Sequence, residues 1–209
     1  MAPAPPKGPP APSWFQVQNT SSGEPFVALP VKDPSTPIFL TLLYGSDASS
    51  MSEILTHPAV NSALISLPCP YTLDDAHSRI DFVRQKDERM FHHAIRAGHP
   101  ETGPFIGCIS FSSMSESSSD DKGFELGYHI SPAFHRKGIM REAVPASLIW
   151  AAENGVRDVL VRAAEDNLGS RAIVEGLDGF ERLDGREEVA WPESKGGGTK
   201  VLLSWRRVI

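Results

Sequence analysis

The sequence predicts an α/β (α+β) fold in which a mixed, mostly antiparallel sheet carries helices on both faces. Three observations lead to this. Two apolar runs, Phe91 to Ala97 and Phe105 to Met114, flank the turn-rich segment Gly98-His99-Pro100-Glu101-Thr102-Gly103, which is the pattern of a β-hairpin. The run Phe124-Glu125-Leu126-Gly127-Tyr128-His129-Ile130 passes through a polar turn into a stretch with a broad apolar face, Val144, Ala146, Leu148, Ile149, Trp150 and Ala151. A second strand, Asp158 to Ala164, leads into a helix start that Asn167 is placed to cap.

The other elements follow in order. Residues 1–13 are rich in Pro and Ala, cannot build a core, and are expected to be disordered or extended. Trp14-Phe15-Gln16-Val17 is expected to tack down the start of a single domain over 14–209. Pro37 to Tyr44 reads as the first strand, with Ser46-Asp47 as the N-cap of a helix from Ala48 to Leu55. Thr72 to Lys86 reads as an amphipathic helix capped by Thr72, with Asp74 and Asp75 in its first turn. Ser115 to Lys122 is a polar loop without a packing signal, and Pro145 is expected to bend the helix it interrupts. Lys200 to Arg206 reads as the last strand. The run Gly196-Gly197-Gly198 precedes no helix, so it reads as a hairpin loop and not a phosphate cradle. No internal repeat is evident.

Bulk composition narrows the function classes. With 209 residues and 40% hydrophobic content, the chain suits one core plus a tail. No apolar run approaches the length of a membrane span. Cys69 and Cys108 are the only cysteines, which argues for a reducing compartment, read as the cytoplasm. The N-terminus lacks the apolar core of a secretory signal. A formal net charge of −6 argues against a nucleic-acid partner and favours approach of a cationic one. His92, His93 and His99 cluster locally, but no second set at metal spacing accompanies them, so no metal is expected.

The turn after Ile130 carries the first chemical signal. A strand feeding a helix through Ser131 to Gly138 leaves unpaired N–H groups at the positive end of that helix. Such an end binds phosphate. Gly138 permits close backbone approach, and Arg136 and Lys137 add charge-assisted contacts. The competing reading is an ordinary strand–helix connection with surface charges.

Several ordered motifs then resemble the GCN5-related N-acetyltransferase (GNAT) superfamily, and within it the ribosomal-protein N-terminal acetyltransferase branch. They are Glu125-Leu126-Gly127-Tyr128, His135-Arg136-Lys137-Gly138-Ile139-Met140, Asn167 with Ser170-Arg171-Ala172, and Gly179-Phe180. Upstream, His57-Pro58-Ala59-Val60 and Pro70-Tyr71-Thr72-Leu73-Asp74-Asp75-Ala76 fit the same branch. The resemblance runs from roughly Pro37 to the C-terminus. It implies that the strands at Glu125 and Val159 splay apart to admit the pantetheine arm of acetyl-CoA, a co-substrate. It also implies cofactor contacts at Tyr128, His129, Ile130, the turn His135 to Met140, Asn167, Ser170 and Arg171. Three departures stand out. His135 and Arg136 replace the Gln or Arg and the first glycine of the family turn, the segment from Ser170 to Phe180 is one residue longer, and the helix at Ser170 lacks the tyrosine that often protonates the leaving thiolate. The branch resembles this chain in using the serine instead.

Acyl transfer to an amine needs a proton acceptor, a donor for the oxyanion and a donor for the thiolate. Glu125 is the candidate base, with burial between Phe124 and Leu126 expected to raise its pKa; its alternative reading is a salt-bridged strand carboxylate. His129 is a rival base or a packed strand histidine. Glu187, Glu188 and Glu193 are further rivals, and Trp191 is a candidate lining for an acceptor pocket. A backbone N–H near His129 or Ile130 is the candidate oxyanion donor, and Ser170 the candidate thiolate donor unless it only solvates its helix. The expected function is an acyl-CoA-dependent N-acyltransferase, transferring acetyl to a peptide N-terminus or small amine in a ternary complex, as a monomer or homodimer without a membrane partner. The alternative is a non-catalytic acyl-CoA-binding module of the same fold.

Overall fold

A computed structural model describes residues 11–86, 88–114 and 123–209. Ten strands form one sheet in the order β1-β2-β3-β4-β5-β6-β7-β10-β8, with β9 also pairing β10. Every pairing is antiparallel except β6 with β7. The strands are β1 (Val17–Asn19), β2 (Pro25–Leu29), β3 (Ile38–Leu42), β4 (His92–Ala97), β5 (Phe105–Ser113), β6 (Gly123–Ile130), β7 (Asp158–Ala164), β8 (Glu181–Arg182), β9 (Glu187–Ala190) and β10 (Thr199–Val208). The helices are α1 (Ala48–Thr56), α2 (Pro58–Asn61), α3 (Leu73–Gln85), α4 (Ile139–Glu153) and α5 (Leu168–Val174).

The alternation of side chains along the strands builds a core on each face of the sheet. On one face, α4 and α5 cover Ile95, Ile109, Leu126, Ile130, Val161 and Leu203, with Trp150 of α4 only 1% exposed. On the other, α1 and α3 cover Ala94, Phe105 and Cys108. Glu125, Gly127 and His129 therefore look toward the α1/α3 face, while Leu126, Tyr128 and Ile130 look toward α4 and α5. Phe15 is buried in the first core, with Trp14 packed against it, as the sequence anticipates.

The strands and helices expected from periodicity are present with small shifts at their ends. Thr72 and Asp75 cap α3 reciprocally, at 3.1 Å and 2.7 Å, so two first-turn donors are satisfied. A single 3₁₀ turn, Gly45–Asp47, precedes α1, and the Asp47 carboxylate turns back to the Tyr44 amide at 2.8 Å. The same carboxylate is buried against Arg96 at 2.6 Å, and Arg96 also donates to Thr41 and to the Gly103 carbonyl. A buried ion pair is tolerated only when its remaining donors are satisfied in this way. This one ties the start of α1 to the β4–β5 hairpin. Helix α4 runs through Pro145 without interruption.

Four strands are additional to those expected. The hairpin β1–β2, turning at Gly23 with φ +86°, extends the sheet edge. β8 and β9 are short and mostly exposed, so they lack the apolar alternation by which strands are recognised. β9 nevertheless pairs β10 across the glycine run, which confirms its reading as a hairpin loop. The expectation for the N-terminal tail lies outside the described residues for positions 1–10, as does that for the loop 115–122.

Candidate active site

β6 and β7 are hydrogen-bonded partners only from Gly123 with Asp158 to Glu125 with Leu160. Beyond Glu125 they diverge, while β6 stays paired with β5 along its whole length. A cleft of about 860 Å³ fills the gap, lined by Glu125 to Ile130 on one side and Val161 to Ala164 on the other. Because residues from both sheet faces line it, the cleft passes through the sheet. Its walls are α4 and α5 on one face, and α2 with Trp191 on the other. Gly107 lets β5 approach β6 closely here, since a Cβ there would lie 2.4 Å from the His129 carbonyl oxygen.

One mouth of the cleft is the start of α4. Gly138 caps the helix in the left-handed region, φ +77°, and Arg136 before it adopts φ +61°, a conformation that side chains rarely take. The Arg136 side chain is thus accommodated where the family turn has glycine, at a cost in backbone strain of the kind found at ligand sites. The Arg141 amide reaches back to the Gly138 carbonyl at 3.1 Å, which leaves the earlier amides of the turn pointing out of the helix end. His135 donates from Nε2 to the Ile130 carbonyl at 3.1 Å and so pins the turn to the end of β6. The turn from His135 to Met140 lines the cleft throughout. This is a fitting cradle for a pyrophosphate.

The open edge of β6 supplies further donors. The Ser131 amide bonds the Ile106 carbonyl on the β5 side at 2.7 Å. Successive amides of a strand point to opposite edges, so those of Ile130 and Tyr128 face the cleft while that of His129 faces β5. Of the two expected oxyanion donors, Ile130 therefore remains and His129 does not, and the Tyr128 amide joins it as a candidate.

On the α5 side, Asn167 caps its helix by accepting from the Ser170 amide at 3.1 Å. The Ser170 hydroxyl lies 2.8 Å from the Tyr128 hydroxyl, which also donates to the Ser170 carbonyl at 3.1 Å. Burial pushes the Tyr128 phenol up to about 12, so it stays protonated. The tyrosine absent from α5 thus has a counterpart reaching over from β6. No sequence signal joins positions this far apart. Arg171 does not line the cleft; its guanidinium binds the Glu165 carbonyl at 2.9 Å and the Glu175 carboxylate at 3.4 Å. Helix α5 ends at Val174, and the longer segment before Phe180 is absorbed in turns through Gly179 at φ +83°.

On the opposite face, Glu125 grips Arg162 through two hydrogen bonds, 3.0 Å and 2.8 Å. Its side chain is 34% exposed, so the expected burial between Phe124 and Leu126 does not occur. Those neighbours point to the other face of the sheet. Glu187 lies 3.8 Å from the same guanidinium. Glu188 and Glu193 do not line the cleft, whereas Trp191 does. The His129 ring is enclosed beside Phe105, and burial lowers its pKa to about 4. Its Nε2 has no hydrogen-bond partner among the described residues. His92 and His93 lie on opposite faces of β4, both buried and pushed down to about 3. Among the described residues no group of three or more His, Cys, Asp or Glu is gathered for a metal.

The acetyltransferase (GNAT) domain family model matches residues 38–180, and the chain belongs to that family. No curated protein matches it by sequence. Among solved structures, it is similar to a ribosomal-protein-alanine N-acetyltransferase from Brucella melitensis at 18% identity and TM-score 0.64, covering 81% of this chain and 99% of that one. It is also similar to yncA of Salmonella typhimurium, a putative acetyltransferase solved with its cofactor acetyl-CoA, at 16% identity and TM-score 0.64, covering 81% and 92%. A putative phosphinothricin N-acetyltransferase matches at 20% identity and TM-score 0.65, covering 82% and 98%. At these identities the likeness concerns the fold, which is the GNAT fold: a mixed, mostly antiparallel open sheet flanked by helices. The hairpin β1–β2 lies outside the matched residues.

Proposed function

We propose that the protein transfers the acetyl group of acetyl-CoA to a primary amine by direct attack in a ternary complex. The observation that carries this reading is the cleft at the parallel pair, open through the sheet, with a basic helix start at one mouth and a carboxylate on the far face. The amides of Arg136 to Met140 hold the pyrophosphate, aided by the Arg136 and Lys137 side chains. The open edge of β6 pairs with the pantetheine arm, which places the thioester carbonyl beside the amide of Ile130 or Tyr128.

The two faces then divide the chemistry. Ser170, held by Tyr128 on the α5 face, donates to the departing sulfur. Glu125, on the opposite face, accepts the proton of the incoming amine, directly or through water. Doing so requires it to release one of its two bonds to Arg162, while Glu187 stands ready as a second partner for that guanidinium. His129 is the weaker base, because its ring disfavours charge at this buried position. Two carboxylates around one guanidinium leave an excess negative charge that draws a cationic amine toward the site. Cys69 and Cys108, both unpaired, suit a cytoplasmic setting.

Mass-spectrometric detection of an N-acetylated product from acetyl-CoA and an amine tests the reading. Acetyl-CoA binding without product would favour the non-catalytic module of the same fold.

A further inference from the structure

At the end of the cleft away from α4, the walls change character. The segment from Pro58 onward contributes Ala59, Ala63, Leu64 and Ile65, and the far side contributes Trp191 and Leu202. Ile65 packs against Trp191, Ala164 and Leu202 in a small core of their own. Lys195, four residues after Trp191, donates its ammonium to the Leu64 carbonyl. The two segments that flank the acceptor face are thereby joined across it, by apolar contact and by one charge-assisted bond. A peptide N-terminus needs an open trough for the residues that follow it. Here the contacts between the two segments narrow the acceptor face instead.

Charge narrows the occupant further. Among the described residues that line the cleft, the acids are Glu125 and Glu142, and Glu142 belongs to the first turn of α4 at the phosphate mouth. One ammonium therefore has a carboxylate to meet on the acceptor face. A second ammonium, as in a polyamine, would meet no further carboxylate among the residues that line the acceptor face. A substrate carboxylate fares no better, because Arg162 is already committed to Glu125 and Glu187. Each alternative leaves a charge without a free partner on the acceptor face.

Resting on the acetyltransferase reading, we propose that the acceptor is a small monoamine with an uncharged, apolar body, its nitrogen at Glu125 and its body against Ile65 and Trp191. The test compares kcat/KM for 2-phenylethylamine, spermidine, free glutamate and the peptide Ala-Ala-Ala, with products verified by mass spectrometry. The wild-type protein should favour 2-phenylethylamine by about 10-fold or more, the scale on which an apolar pocket discriminates by fit. Ile65→Asp should lower that rate by about 10-fold or more while calorimetry shows unchanged acetyl-CoA affinity. Lys195→Met should raise the rate with the peptide relative to the amine. Preference for spermidine, glutamate or the peptide in the wild type overturns the inference. So does failure to acetylate 2-phenylethylamine in a protein that binds acetyl-CoA, or an Ile65→Asp variant with undiminished activity on it. Loss of acetyl-CoA binding in the wild type would instead overturn the acetyltransferase reading itself.

Discussion

Replacing Ser170 by alanine separates a catalytic hydroxyl from a structural one, because the Tyr128 hydroxyl has two partners on the same residue. The substitution removes the Ser170 hydroxyl at 2.8 Å and leaves the Ser170 carbonyl at 3.1 Å, so the buried phenol keeps an acceptor. The stability cost is then one net hydrogen bond, about 1 kcal/mol. For a chain of this size that is roughly 2–4 °C in Tm. Helix α5 keeps its cap, since Asn167 bonds the Ser170 amide and not its side chain. A donor to the departing thiolate acts only as charge develops, so its loss should fall on kcat, by about 10- to 1000-fold, or roughly 1.4–4 kcal/mol. The acetyl-CoA dissociation constant should be unchanged. The assay is thiol release at saturating acetyl-CoA and amine, beside calorimetry and a thermal melt on the same preparation. A folded Ser170→Ala protein with wild-type kcat would refute the assignment. Tyr128→Phe should show the reverse balance, with a larger fall in Tm and a smaller fall in kcat, because it strips a partner from both Ser170 oxygens.

Three further outcomes are expected. Gly138→Trp should weaken acetyl-CoA binding by calorimetry, since it forces a side chain into φ +77° and obstructs backbone approach; unchanged affinity in a folded variant would misplace the pyrophosphate. Glu125→Gln should abolish the acidic limb of the pH profile of kcat/KM, whereas Glu187→Gln and Glu188→Gln should retain it; the opposite result would move the base to the β9 segment. Burial lowers the pKa of His92 and His93 to about 3 and that of His129 to about 4, so they stay neutral in the folded chain. Unfolded imidazoles take up protons below about 6.5, so stability should be full above that pH and fall as pH drops toward the folded values. His93→Gln should flatten the dependence of Tm on pH in this window, and an unaltered slope would contradict the cause given.

Much of this architecture was legible because it depends on local pattern. The cap at Thr72, the hairpin through Gly98 to Gly103 and the strand–turn–helix at Gly138 are each encoded within a few residues. The positions of Asn167 and Ser170 on one short helix were legible for the same reason. What escaped depends on distance in the sequence. The bond between Tyr128 and Ser170 spans 42 positions, and that between Glu125 and Arg162 spans 37. A salt-bridged carboxylate was one of the two readings of Glu125, but that Arg162 would be its partner was not legible. The resemblance puts Arg171 among the cofactor contacts, yet its guanidinium turns to the Glu165 carbonyl and the Glu175 carboxylate, away from the residues that line the cleft. The edge strands β8 and β9 bury almost nothing, and so left no apolar trace to read.

In the proposed mechanism one cleft binds acetyl-CoA on the α4 face and delivers its acetyl group to an amine on the other. The most direct measurement is the rate of free CoA thiol release at fixed acetyl-CoA as the concentration of 2-phenylethylamine is raised. Release should rise with amine to saturation, yield one N-acetylated product per thiol, and collapse in Glu125→Gln. Thiol release independent of amine, or tight acetyl-CoA binding with no release across amines of every class, would contradict it.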